Sequence, residues 1–250
     1  MNVILQHCSV FRGKREILQD LNTELRAGTL TVLLGKNGCG KSTLISALVG
    51  ALPFRGTVWL DDLELRALSA KERAKRIAVV PQLPKQVDAS VEELVAFGRL
   101  PHHALGETAD TRDRDAIESA IAAMELQGLR TANANRISGG ELCRAYFAMA
   151  LAQDTPVLLL DEPTAHTDEE NKANILQALR KLTQDQGKTV LAVMHDVADA
   201  VTYADRLILL RDGKIAAQGS TQEVLDGQQI EQIFGLRRTT GDVWKWRGSF

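Results

Sequence analysis

The 250-residue sequence predicts an α/β protein whose core carries an antiparallel β side sheet and an inserted α-helical subdomain. Three observations predict it. Short runs rich in Val, Leu and Ile recur and are apolar on both faces. Longer helical patterns separate them, as in a parallel sheet covered on both sides. Between roughly residues 88 and 153 the strand signal gives way to helix signals alone. With 44% hydrophobic residues, the chain can bury one substantial core and a subdomain, which excludes disordered and fibrous classes.

The elements follow in order. "TLTVLLG" (29–35), "IAVVPQ" (77–82), "PVLLLDE" (156–162) and "TVLAVMHD" (189–196) read as buried parallel strands. "GTVWLDD" (56–62) and "RLILLRDGKIAAQG" (206–219) read as antiparallel pieces of the side sheet, the second a hairpin turning at Asp212-Gly213. In "SVEELVAFGRL" Ser90 and Glu93 make a capping box, and in "RDRDAIESAIAAMEL" Ile117, Ala120, Ile121 and Met124 share one helical face. The stretch 102–114 reads as a flexible loop, and the pair His102-His103 within it as solvated rather than metal-binding. This divides a single domain into an α/β core (1–87 and 154–236), a helical subdomain (88–153) and a tail (237–250).

Charge and leader signals narrow the class. Thirty Lys and Arg against 32 Asp and Glu leave a net charge of -2, which points away from nucleic acid. The start "MNVILQHCSV" lacks a charged region followed by a long apolar run, and no apolar run approaches the roughly 18 residues of a membrane span, so a cytosolic, non-spanning chain is expected. Cys8, Cys39 and Cys143 lack metal-like spacing and read as free thiols.

The chemistry gathers at "GKNGCGKST" (35–43), which follows a strand and opens a helical pattern. It matches G-x-x-x-x-G-K-[ST] in full, the P-loop pattern of nucleoside triphosphatases. Gly35, Gly38 and Gly40 let consecutive N–H groups face an anion at a helix N-terminus. Lys41 adds charge near the outer phosphates, and the Ser42 hydroxyl can ligate magnesium. "VLLLDE" supplies Asp161, a magnesium ligand at a strand's carboxyl end, and Glu162, a base for water. Gln82 and His195 each follow a predicted strand and can reach the same γ-phosphate. In "ISGGELCRAYFAMALAQ" (137–153) Ser138 and Glu141 make another capping box, and Gly139 and Gly140 leave N–H groups uncovered. This second anion-binding helix suggests closure over nucleotide held by another copy of the chain.

As a set, these residues resemble the ATP-binding subunit of ABC transporters, whose core is a P-loop NTPase of RecA-like type. "GKNGCGKST" resembles Walker A, "VLLLDE" Walker B, Pro81-Gln82 the Q-loop, "ISGGE" the signature, "AHTD" (165–168) the D-loop and "MHD" the switch histidine. The resemblance covers about residues 3–236, in the family's motif order. "ASVEELVAFGRLPH", "AMALAQDTPVLLLDEPT" and "ADRLILLRDGKIAAQG" resemble importer ATPases for iron chelates, a group including siderophore, heme and cobalamin uptake.

The resemblance implies ATP and Mg2+ as cofactors. It places ATP on Gly35, Asn37, Gly38, Cys39, Gly40, Lys41, Ser42 and Thr43, with Phe11 stacked on adenine. It gives the metal to Ser42, Gln82 and Asp161, and catalysis to Glu162, His195, Gln82 and Lys41. Ser138, Gly139 and Gly140 would complete a second copy's site. The implied partners are that copy, a membrane permease docked after Gln82 and, indirectly, a substrate-binding protein, at the cytoplasmic face of a bacterial inner membrane. Glu141, Leu142, Cys143 and Thr167 depart from the family pattern. A carboxylate facing a γ-phosphate would be repelled, so Glu141 is expected to turn back to its cap. Two rival readings stand beside this one: a soluble ABC ATPase in assembly or repair, and a nucleotide-binding regulator without turnover.

Overall fold

The protein's structure, a computed structural model, describes residues 1–82, 85–104, 110–164, 169–238 and 244–246. The first half runs β1 (Val3–Arg12), β2 (Arg15–Leu25), β3 (Leu30–Gly35), α1 (Lys41–Leu48), β4 (Phe54–Leu60), β5 (Leu63–Glu64), α2 (Ala70–Ala74) and β6 (Ile77–Val80). Then come α3 (Val91–Ala96), α4 (Thr111–Ala123) and α5 (Gly139–Ala152). The remainder is β7 (Val157–Asp161), α6 (Glu169–Gln186), β8 (Thr189–Val193), α7 (Val197–Tyr203), β9 (Arg206–Arg211), β10 (Lys214–Ser220), α8 (Thr221–Asp226), α9 (Gln229–Phe234), β11 (Leu236–Arg238) and β12 (Trp244–Trp246).

The central sheet has the order β10-β9-β3-β8-β7-β6, with all pairs parallel except β9-β10. Every residue of β3, β7 and β8 is buried, which is why their sequences are unbroken apolar runs. Alternate side chains divide between two cores. Leu158 and Leu160 face one that takes in α3, α4, α5 and α6, whereas Leu159 faces one shared with α1 and the side sheet.

The side sheet is antiparallel, in the order β2-β1-β4-β5. The hairpin β9-β10 is not part of it, contrary to the sequence expectation. Its turn is where expected, with left-handed φ at Asp212 (49°) and Gly213 (77°), but β9 pairs with β3 in parallel, Leu33 opposite Ile208. The hairpin therefore closes the edge of the central sheet, because β9 is buried along Leu207–Leu210 and needs a covered neighbour.

Helices α3, α4 and α5 lie in the chain between β6 and β7 and pack on one another. The expected capping boxes at Ser90 and Ser138 are present, and Ile117, Ala120, Ile121 and Met124 are all buried. The expected loop at 102–114 is shorter than its sequence suggests. Asp110 caps α4, so 111–114 are helical, and 105–109 lie outside the described residues. Nor are the two histidines solvated: His102 Nε2 lies 2.8 Å from the Gln153 carbonyl, and His103 Nε2 lies 3.0 Å from Asp113 Oδ2. Arg99 Nε donates to Asp113 Oδ1 at 2.8 Å and its Nη1 to the Ala152 carbonyl at 2.7 Å. The Asp113 side chain is 4% exposed. Burial raises its pKa, but the bonds from Arg99 and the Asp110 amide and the charges of His103 and Arg99 outweigh that, bringing it to about 2.

Candidate active site

Strand register puts the chemistry on one edge. Leu33 of β3 sits opposite Val193 of β8, Val193 opposite Asp161 of β7, and Leu160 opposite Val80 of β6. The loops that follow these strands thus leave the carboxyl end of the sheet together, where open α/β sheets bind ligands. They carry Lys41, Gln82, Glu162 and His195.

The loop from Gly35 to Gly40 is shaped by close approach. A Cβ on Gly35 would lie 2.5 Å from the Leu210 carbonyl oxygen. At Gly40, φ is 111° and a Cβ would meet Leu18 Cδ2 at 2.4 Å, so glycine alone lets α1 start there. Lys41 is 6% exposed, and its Nζ donates to the carbonyls of Gly35 (2.8 Å) and Lys36 (3.3 Å). The ammonium thus lies along the loop's inner side. Thr43 is buried, whereas Ser42 is exposed and hydrogen bonds to Asp161.

Asp161 is 9% exposed, and its Oδ1 has no hydrogen-bond partner. Burial raises its pKa; the bond from Ser42 and the charges of Lys41 and His195 oppose that, while Glu162 adds to it. A buried, unpaired carboxylate oxygen beside a hydroxyl is a fit for a hard cation that brings further oxygen ligands with its substrate. Among the described residues no group of three or more His, Cys, Asp or Glu forms a metal cage.

Glu162 follows β7 with φ 54°, and its carboxylate takes other partners than Asp161, which is bonded to Ser42. Gln82 Nε2 donates to Glu162 Oε2 at 2.5 Å, and His195 Nε2 is bonded to Glu162 Oε1. The structure thus brings together three residues that the sequence placed on separate strands, around a carboxylate 13% exposed.

A cavity of about 630 Å3 adjoins the loop, lined by Lys36, Asn37, Gly38 and Cys39 and, across from them, by Ile17, Asp212 and Ile233 among others. Sequence reasoning missed the second wall. Its parts lie far apart in the chain and join through contacts such as Gln19 N–H to the Gly213 carbonyl, 2.8 Å. Cys39 is half-buried, and burial raises its thiol pKa. Phe11 does not line this cavity; its ring carries the Arg55 guanidinium 5.0 Å from its centroid.

Ser138, Gly139 and Gly140 open α5 on an uncrowded surface, where a Cβ on either glycine would meet nothing within 4 Å. They do not line the cavity either. Glu141 has turned back: its Oε2 accepts from the Ser138 N–H at 2.8 Å, and its own N–H donates to Ser138 Oγ at 3.3 Å. The Ser138 amide, and after it the hydroxyl, hold this carboxyl below the usual range. The expected D-loop, Thr167 included, lies outside the described residues.

Comparison with known proteins gives concordant results. The family model described as "ABC transporter" matches residues 18–165. The chain is 40% identical over 227 residues to the ferric enterobactin transport ATP-binding protein FepC of Escherichia coli (strain K12), covering 90% of this chain and 84% of that one. It is 41% identical over 232 residues to the hemin import ATP-binding protein HmuV of Pseudomonas entomophila (strain L48), covering 90% and 89%. Among solved structures, the ATP-binding cassette MJ0796, dimeric and bound to ADP and Pi, superposes with a TM-score of 0.78 at 27% identity, covering 88% of this chain and 98% of that one. The nucleotide loop, the paired carboxylates and these matches lead to one assignment: the chain belongs to the ABC transporter family, as an ATP-hydrolysing cassette.

Proposed function

We propose that this cassette powers a bacterial importer for an iron chelate, a siderophore or hemin, working as a head-to-tail pair on the cytoplasmic side of a membrane permease. The observation that carries the catalytic half is the grip of Gln82 and His195 on Glu162. The names of relatives matched over most of their length support the cargo class: enterobactin for FepC, hemin for HmuV, and iron(3+)-hydroxamate for FhuC of Bacillus subtilis (strain 168), 36% identical over 226 residues.

In this reading the loop amides from Gly35 to Gly40 and the Lys41 ammonium bind the phosphates, with Asn37 and Cys39 contributing backbone and Thr43 closing the loop. Ser42, Asp161 and Gln82 hold magnesium, which when bound offsets phosphate charge. Glu162 orients and deprotonates the attacking water, and His195 fixes Glu162 and contacts the γ-phosphate. Ser138, Gly139 and Gly140 of a second copy cover the nucleotide, and for Phe11 to stack on its base the ring must leave the Arg55 guanidinium that it now carries. Because Glu141 is spent on its cap, it adds no repulsion there. The helical subdomain at 88–153 exposes Phe97 (43%) and Leu100 (64%), large apolar side chains suited to a permease loop. No helix among the described residues is long and apolar enough to cross a membrane, which suits a peripheral subunit.

The test pairs a variant with a purification. Glu162→Gln should bind ATP, accumulate closed dimers and hydrolyse at least 100-fold more slowly, the scale of a lost general base. Hydrolysis at the normal rate would end the Glu162 assignment. The tagged chain, taken from native membranes in mild detergent, should bring a polytopic permease in matching amount. Soluble companions alone would end the importer reading.

A further inference from the structure

A second cavity, of about 400 Å3, shares no lining residue with the one beside the nucleotide loop. Its size falls within the range of small-molecule sites, roughly 300–1,000 Å3. It lies between α5, α6 and the end of α4, and its apolar wall is Met124, Leu151, Ile175, Ala178 and Leu182. Positions 175, 178 and 182 recur at three and four and so share one face of α6. Leu151 stands two turns, about 10 Å, along α5 from Arg144 and on the same face. The charged part of the lining is uneven: Glu125, Lys181 and Asp185 are exposed, whereas Arg144 is half-buried.

Arg144 is the anomaly. Its Nε is closed to solvent and has no hydrogen-bond partner. Among the described residues Arg144 takes part in no ion pair either. Glu141, one turn earlier on α5, is near enough to feel its charge but spends Oε2 on the Ser138 N–H. A guanidinium has five N–H donors and does not deprotonate, so a half-buried one without a counter-ion is costly. We propose that this cavity is a binding site for a small organic carboxylate with an apolar tail: Arg144 takes the carboxylate, and the tail lies along Leu151, Ala178 and Leu182. The planar guanidinium matches a carboxylate with paired N–H···O bonds and offsets its own desolvation in doing so. A compact anion such as phosphate would leave the apolar wall against water, whereas a tailed one covers it. Glu125 and Asp185 are exposed to solvent and salt, so they oppose an anion at Arg144 only weakly.

The test is calorimetric titration of the full-length chain with octanoate and, beside it, octanol, which keeps the tail and lacks the charge. Octanoate should bind saturably and at least about tenfold more tightly than octanol, the scale of a hydrogen bond to a charged group. In Arg144→Gln the octanoate affinity should fall by about the same factor, while that for octanol changes by less than about twofold. Ala178→Leu, which fills the groove and leaves Arg144 in place, should weaken both. Absence of saturable octanoate binding, octanol binding as tight as octanoate, or an octanoate affinity unmoved by either substitution overturns the site. If Arg144→Gln does not fold, the comparison of the two probes and Ala178→Leu still decide. No part of the test needs ATP or hydrolysis, so its outcome is independent of the catalytic reading.

Discussion

Asp113 offers a stability prediction that can be worked through. The perturbation is Asp113→Asn, which keeps the shape and removes the charge that Arg99 and His103 face. The carboxyl titrates at about 2 in the folded chain against 3.8 as the ordinary value. A folded pKa below the unfolded one means that the stabilisation is complete above the unfolded value and is lost as pH falls through the folded one. At roughly 1.36 kcal/mol per pKa unit, the charge contributes about 2 kcal/mol at pH 7. Linkage leaves roughly half of that at pH 3 and almost none below pH 2. Urea unfolding of wild type and variant should therefore differ by about 2 kcal/mol at pH 7, a melting shift of roughly 4–8 °C for a chain of this size. The gap should narrow steadily below pH 4. A gap under about 0.5 kcal/mol at pH 7, or one that does not change between pH 7 and pH 3, would refute the electrostatic account.

Two further outcomes are expected. Glu141→Gln should change ATP hydrolysis by less than about twofold, because the side chain serves its own cap and an amide can do the same; a large gain in phosphate release would show that the carboxylate had been opposing the nucleotide. Alkylation of Cys39 should be slow at neutral pH, since burial raises its thiol pKa, and slower still with ATP present. Labelling rates indifferent to ATP would place the nucleotide elsewhere.

The parts of this fold that were legible in sequence are those set by local chemistry. β3, β7 and β8 are buried on both faces and advertise it, and Ser90 with Glu93 and Ser138 with Glu141 signal helix starts within four residues. The triphosphate loop is equally local. What was illegible depends on distant registration. In "RLILLRDGKIAAQG" the unbroken run Leu207–Leu210 signals burial on both faces, but nothing local names β3 as the neighbour of β9. His102 and His103 look solvated until the end of α5 arrives with the Gln153 carbonyl and α4 brings Asp113. The bond between Gln82 and Glu162 joins residues 80 positions apart, so the sequence could nominate both without placing them in contact.

The backbone at Glu162 has a further meaning. A left-handed φ of 54° is a conformation that an L-residue with a long side chain holds at a cost of about 1–2 kcal/mol, and that glycine or asparagine accepts more readily. Selection for robustness alone would drift toward those residues at this position. With Glu162 as the proposed base for water, such a protein would fold at least as well and lose its hydrolysis. The proposed role thus sets activity against thermal endurance at position 162, and consensus-style hardening of this cassette should leave it untouched.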